Sequence, residues 1–427
     1  MIPCIAVFDI GKTNKKVLLF DEQYQVVHSF SRQFDEITDE DGFPCENLAE
    51  VSDWVQATWK KLEDDRRFDI RALNFTTYGA SFVHLDEKGK PLGRLYNYLK
   101  PFPEKLLAEF RAKYGDEIRF STETASPPLG MLNSGLQLYW LKYMRPELFR
   151  KIRYSLHLPQ YFSYLLGGEL CSEYTSVGCH TGLWDFSAGQ YHRWVREEKL
   201  DVLFPPLVTD PFNGAIPFRG DYLPIGTGLH DSSSALIPYR KRATSSFMLL
   251  STGTWGITLN PYAREALSPE LLRADCLNFM TPQGGTVRAS RFFLGHYHDE
   301  MLKRLESIFH PAAIKIIGWD REEVEKWSTL ELNGLDEDFE QWDMRRFKEF
   351  RHAYATLMRA LVKKQARAVR LAAGTDGKHQ TLYIDGGFSK NPLFIAMLRR
   401  EFPGLSIESL GFHEGTALGA AMHLGLF

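Results

Sequence analysis

The stretch that decides the fold is CIAVFDIGKTNKKVLLFD, Cys4–Asp21. An apolar run, Ile5 to Phe8, meets the turn-forming D-I-G-K-T-N and is followed by a second apolar run, Val17 to Phe20, closed by Asp21. Two apolar runs around such a turn predict a β-hairpin. The turn also carries an uncommon load of polar groups: Asp9, Lys12, Thr13, Asn14 and Lys16. About 240 residues later, FMLLSTGTWGITLNP (Phe247–Pro261) repeats the plan of apolar run, Gly/Thr turn and apolar run. The echo is either chance, since apolar hairpins with Gly/Thr turns are common, or an internal duplication, in which each half of the chain opens on the same unit and the two turns face each other.

Around these hairpins the chain alternates strand and helix. Leu48, Val51, Val55, Trp59 and Leu62 recur at spacings of three and four and predict an amphipathic helix over 46–64. ALNFTTYGASFVHLD, residues 72–86, reads as a further strand, so the order is that of an α/β fold. The pattern turns helical from about residue 130, with Leu138, Leu141, Tyr161, Leu165 and Leu166 apolar. It reads as turn-rich over 204–228, where Pro205, Pro206, Pro211, Pro217 and Pro224 fall. A domain junction near 240 divides the chain into 1–240 and 241–427. A long helix is predicted from Met344 to Ala373, its basic residues on a solvated face. TLYIDGGFSKNPLFIAML then reads as strand, Gly-Gly turn and helix, with Asn391 as N-cap and Pro392 in the first helical position.

Composition bounds the function. The 427 residues carry 51 Lys+Arg against 54 Asp+Glu, and a net charge of -3 excludes a polyanion binder, so no nucleic-acid partner is expected. At 44% hydrophobic and 25% charged the chain is an ordinary globular protein, long enough for two domains. Cys4, Cys45, Cys171, Cys179 and Cys276 are scattered, with no C-x-x-C pair, and read as reduced cytosolic thiols. No apolar stretch reaches the roughly 18 residues a membrane span needs. A cytoplasmic protein without membrane attachment is expected.

The candidate chemistry sits in glycine-rich turns. Gly11-Lys12-Thr13 resembles the end of a phosphate-binding P-loop, but that motif needs a glycine where Ala6 stands. What remains is a hairpin turn whose backbone N–H groups, Thr13 hydroxyl, Asn14 amide and Lys16 can meet phosphate oxygens, beside an Asp9 able to hold Mg²⁺. Ser251 to Gly256 can cradle a second phosphate. Asp385-Gly386-Gly387 opens onto a helix N-terminus, where a flat ring or ribose can approach. Asp231, in G-L-H-D-S-S-S-A, stands where a strand ends and a helix begins. It is either a helix N-cap or a carboxylate placed to accept a hydroxyl proton. His296 and His298 lack a second ligand cluster for a metal, and Ser232–Ser234 lack the G-x-S-x-G elbow of a nucleophile.

Taken in order, D-I-G-K-T-N-K-K, G-L-H-D, S-T-G-T-W, D-G-G-F-S-K-N and E-G-T-A-L-G-A-A resemble the FGGY family of carbohydrate kinases over essentially the whole chain. The resemblance implies two actin-like, ribonuclease-H-like domains around a nucleotide and sugar cleft, and ATP and Mg²⁺ as cofactors. It implies Asp9 at the metal, Gly11, Thr13, Asn14 and Lys16 toward the transferred phosphate, Gly253 and Thr254 on the ATP phosphates, and Gly386, Gly387 and Asn391 at the adenosine. It makes Asp231 the general base and places Tyr78, Gly79 and His230 at the sugar.

The His230-Asp231 pair resembles rhamnulokinases and L-fuculokinases more than xylulokinases. A ketose such as L-rhamnulose or L-fuculose is therefore the expected substrate, with C1 as the phosphorylated carbon. Other ketoses or polyols, such as xylulose, ribulose or glycerol-like acceptors, are the alternative. So is a catalytically silent sugar- or nucleotide-sensing protein of the same fold, and an actin-like ATPase is a third class. The chain departs from the family pattern at Leu95–Lys100, at Gln137 where lysine is usual, and at Lys12 where a small hydroxyl residue is more common. A small-molecule sugar is the partner expected, and the reading leaves room for a homodimer.

Overall fold

The computed structural model describes residues 1–309, 319–332, 335, 338–374, 379–412 and 414–427. Two sheets organise it. The first hairpin forms as Ile2–Ile10 and Lys15–Phe20, antiparallel, with Asp9 opposite Lys16 and Phe8 opposite Val17. The apolar runs are continuous rather than alternating because both sheet faces are covered. Ala6 and Phe8 pack into one core cluster, Ile5 and Val7 into another. Val26–Arg32 adds antiparallel to one side of the hairpin. Phe68–Thr77 pairs parallel with Ile2–Ile10 on the other, and Asp221–Gly226 lies parallel beyond it.

The second sheet repeats this plan. Phe247–Thr252 and Gly256–Asn260 form the hairpin, and Thr286–Phe292 adds antiparallel to its second strand. Thr381–Gly386 pairs parallel with the first, and Ser406–Glu408 lies parallel beyond. Five strands of each sheet thus agree in order and direction, which decides between the two readings of the repeated hairpin in favour of duplication. The first sheet carries an extra edge strand, Phe212–Phe218, and the second carries Cys276–Met280.

Helices cover both sheets. Leu48–Asp64 buries Val51, Trp54, Val55, Trp59 and Leu62 on the first, as its spacing predicts. The long helix is Phe350–Ala373, shorter than the sequence predicts, because Met344–Arg346 form a separate turn of 3₁₀ helix and Phe347 lies between the two. The stretch read as turn-rich is in part strand. Pro217 sits in Phe212–Phe218, an edge strand where a missing N–H is tolerated, and Pro224 sits in Asp221–Gly226.

The chain's last helix, Gly415–His423, packs on the first sheet. Ala417, Leu418, Ala420 and Ala421 join Ile5, Val7, Leu18 and Ala72 in one buried cluster. All five cysteines are buried and free. No helix among the described residues is long and apolar enough to cross a membrane.

Candidate active site

Parallel pairing brings the chemistry to one edge of each sheet. In the first, Ile10 lies opposite Thr77, so the Gly11–Asn14 turn and Tyr78-Gly79 leave the sheet side by side. The short strand Leu229–His230 pairs with the same end, His230 opposite Thr77, and delivers Asp231 there. In the second sheet Thr252 lies opposite Gly386, which sets the Gly253–Trp255 turn beside Gly386-Gly387. Ligand sites in parallel sheets form at such carboxyl edges.

Asp231 is the first residue of the short helix Asp231–Ser234, and its carboxylate does not cap that helix in the usual way. Oδ1 accepts the backbone N–H of Ser232 at 2.6 Å and its hydroxyl at 3.2 Å, and His230 Nε2 lies 3.2 Å away. About a third of the carboxylate side chain, 32%, remains exposed. Burial pushes the Asp231 carboxyl up to about 6, against the pull of both Ser232 hydrogen bonds. The same desolvation pulls His230 down to about 4. Near neutral pH the pair is therefore a carboxylate beside a neutral imidazole, and the proton-accepting member is Asp231.

His230 is held from three sides. Its backbone N–H donates to Thr175 Oγ1 at 2.9 Å, and Thr175 Oγ1 in turn donates to the buried Glu173 at 2.5 Å. Nε2 is 3.0 Å from Cys179 Sγ, which is itself 3.2 Å from His180 Nε2. Phe279, from the second sheet, packs against both imidazoles, with ring centroids 6.0 Å from His230 and 6.1 Å from His180. A Cβ at Gly79 would lie 2.8 Å from His230 Cδ2 and Nε2, so only glycine allows the loop to close on this ring.

Asp9 has one side-chain hydrogen bond among the described residues: Thr416 Oγ1 donates to its Oδ2 at 2.8 Å. Burial lifts its carboxyl to about 6, and the nearby Asp231 charge adds to the lift after the Thr416 bond opposes it. A desolvated carboxylate with spare acceptor capacity fits a divalent cation that arrives carrying water and phosphate ligands. No group of three or more His, Cys, Asp or Glu that could hold a metal occurs among the described residues. His298 instead pairs with Asp299 and the Tyr354 hydroxyl.

The first turn closes by the Gly11 N–H donating to Asn14 O at 3.0 Å. Thr13 and Asn14 are exposed, and Gln33 donates to Asn14 Oδ1 at 2.7 Å. Lys16 meets both oxygens of Glu414, at 2.9 and 2.8 Å, so this cation is already paired. Lys15, which the sequence reading passed over, is buried beneath the turn. It donates to Lys12 O at 3.0 Å and pairs with buried Glu46, which also accepts the Tyr78 hydroxyl.

Gly253 has open space where a Cβ would stand, and its turn is closed by Gly253 N–H to Trp255 O at 2.8 Å. The backbone N–H groups of Gly295 and His296 donate to Thr254 O. Trp255 stacks on Phe293 at 4.2 Å, and Phe293 on His296 at 4.2 Å. Gly386, at φ 83°, would place a Cβ 1.7 Å from Thr252 O, whereas Gly387 faces open space. Asn391 caps its helix by accepting from the N–H groups of Leu393 and Phe394, and its amide donates to Tyr354.

Two departures in the sequence acquire structural jobs. Gln137 donates to Ala80 O at 2.9 Å and to Met131 O at 2.8 Å, pinning the loop after Tyr78. Lys100 is drawn away from the cleft by Asp39 and Asp41, at 2.5 and 2.6 Å, and lies over the Trp140 ring at 4.9 Å. In the same loop the Tyr98 ring lies 6.2 Å from that of Tyr78.

Two repeated sheets, each with a hairpin turn at its carboxyl edge, define the actin-like, ribonuclease-H-like fold. The solved structures agree across nearly the whole chain. A carbohydrate kinase from Novosphingobium aromaticivorans superposes with a TM-score of 0.81 at 23% identity, covering 99% of this chain and 91% of that one. Glycerol kinase from Plasmodium falciparum, solved with ADP, superposes at 0.73 and 18% identity, covering 100% and 89%. Residues 4–201 match the N-terminal domain of the FGGY family of carbohydrate kinases. A rhamnulokinase from Halalkalibacterium halodurans is 27% identical over 258 residues, 58% of this chain and 52% of the relative. The match thus spans about half the length of that curated relative.

Proposed function

We propose that the protein transfers the γ-phosphoryl group of ATP to a hydroxyl of a small sugar, with Asp231 as general base. The observation that supports this reading is the Asp231–His230 pair: a carboxylate raised toward neutrality and one-third exposed, at a sheet edge that also holds a glycine turn. Asp231 accepts the proton as the sugar hydroxyl attacks the γ-phosphorus and the bond to the β-phosphate oxygen breaks, releasing ADP. A base with a pKa near the working pH suits that task better than an ordinary aspartate. Neutral His230 and Gly79 shape the sugar side. The Gly11–Asn14 turn and the Gly253–Thr254 turn approach the phosphates from opposite domains, 1–240 and 241–427, and Gly386-Gly387 takes the adenosine side. Asp9 would hold Mg²⁺, whose chemistry is to neutralise charge on the phosphate oxygens.

For the sugar, we propose a ketose of the L-rhamnulose or L-fuculose kind. The His-Asp pair and the rhamnulokinase relative support that choice. The buried, reduced thiols support a cytoplasmic setting. Coupled ATP consumption across ketoses and polyols, including L-rhamnulose, L-fuculose, xylulose, ribulose and glycerol, tests the reading. Sugar-dependent turnover that requires Asp231 is expected. ATP binding without turnover on any acceptor would overturn it in favour of a sugar- or nucleotide-sensing protein.

A further inference from the structure

Behind the catalytic pair lies a small pocket lined by Tyr78, Gly79, Ser81, His157, Ser176 and His230, together with apolar neighbours. Three of these lining residues carry four buried polar atoms without a hydrogen-bond partner among the described residues: both ring nitrogens of His157, the Ser176 hydroxyl and His230 Nδ1. Buried polar groups are almost always paired, and leaving one unpaired is costly. Four such atoms on three residues around one pocket make a polar lining that a hydrogen-bonding group would satisfy. Its chemistry follows from the lining. The lining residues include no lysine, arginine or carboxylate, so neither an anion nor an ammonium group is matched. Burial draws His157 down to about 3 and His230 to about 4, so both imidazoles are neutral. A neutral imidazole offers one donor and one acceptor, and a serine hydroxyl offers both. The complementary group is a neutral hydroxyl or carbonyl oxygen.

We propose that this pocket seats a substrate oxygen on a carbon adjacent to the one phosphorylated, and that His157 and Ser176 select sugars carrying it. The assignment rests on the kinase reading and extends it to two residues outside the family resemblance. Their place is built from afar. His157 ends the strand Tyr154–His157, registered against Phe82, whose ring packs 4.3 Å from the imidazole. Ser176 follows Thr175 in a short helix whose first N–H groups are held by Glu173, the same residue that anchors His230 through Thr175.

The test compares the sugar best turned over by the wild type with its mono-deoxy analogues. The wild type should favour the parent sugar over the analogue lacking the seated oxygen by about 10²-fold or more in kcat/KM, as sites built around a substrate hydroxyl do. Ser176→Ala and His157→Gln should cut kcat/KM for the parent about tenfold or more and leave the deoxy analogue little changed, collapsing the ratio. A merely structural role would lower both substrates together, and an unchanged ratio overturns the proposal. Spectra of unmodified protein carrying ¹⁵N-labelled histidine give a second measurement that needs no variant. Saturating sugar without ATP should shift the ring resonances of His157, and no shift means that the pocket holds water only, which also overturns it. Absence of turnover by the wild type on any sugar would instead remove the kinase reading, and this assignment with it.

Discussion

Replacing Asp231 by asparagine keeps the shape of the side chain and removes its ability to take a proton. The structure sets the size and the pH signature of the effect. With its carboxyl at about 6, Asp231 is ionised in about nine-tenths of molecules at pH 7 and about one-tenth at pH 5. Because only the ionised form is a base, wild-type kcat/KM should fall about tenfold over that interval, activity being lost on the acid side. Asp9 is raised to about 6 as well, so its titration would steepen the same limb. On the proposed reading, saturating Mg²⁺ would hold Asp9 ionised and leave the limb to Asp231. The Asp231→Asn variant should turn over about 10²–10⁴-fold more slowly at pH 7, bind ATP as before, and show a flat profile between pH 5 and 7. Stopped-time assays of sugar phosphate across that range, with nucleotide binding by calorimetry, read all three. Turnover within about threefold of wild type, or an acid limb that survives the substitution, would refute the assignment of the base.

Gly79→Ala drives a methyl into the His230 ring at 2.8 Å, so kcat should drop about 10- to 10²-fold with ATP affinity unchanged; steady-state kinetics and nucleotide titration check both. Lys15→Met strands Glu46 as an unpaired buried charge and should cost about 3–5 kcal/mol in urea unfolding. The double variant Lys15→Met/Glu46→Gln should recover most of that loss. Gly386→Ala meets Thr252 O at 1.7 Å from a left-handed backbone and should destabilise by roughly 4 kcal/mol or more. Gly387→Ala, which faces open space, should stay within about 1 kcal/mol of wild type by thermal melting while weakening ATP binding.

The hairpins were legible because their signal is local. A continuous apolar run on each side of a glycine turn needs no distant information, and the same signal marked the second sheet. The edge strand Phe212–Phe218 was hidden by Pro217, since a proline signals a turn unless the strand lies at a sheet edge, and edge position is a tertiary fact. The start of the long helix was misplaced for a related reason. Phe347 continues the apolar spacing, yet the backbone helix begins only at Phe350.

The candidate site residues read from the sequence, Asp9 and Asp231 among them, stand at strand ends, in turns and at the start of a helix, where the signal is local. What stayed unread is which residues reach each other across the chain, even where both, as Asp9 and Thr416, stand in quoted motifs. Thr416 reaches Asp9 from 407 positions away, Glu414 reaches Lys16 from 398, and Asn74 donates to Ala420 O from 346. No pattern within a window can encode such partners. The last helix supplies them because it packs on the first sheet and crosses the helix of the base. A Cβ at Gly419 would stand 1.9 Å from Ser234 O, and Ser234 donates to Thr416 O at 2.7 Å. One helix end therefore touches the carboxylate proposed for the metal, the cation of the first turn and the helix that starts at the base. A change in how that helix seats must act on all three together, so substitutions at Gly419 should perturb metal dependence and base titration in parallel rather than one alone.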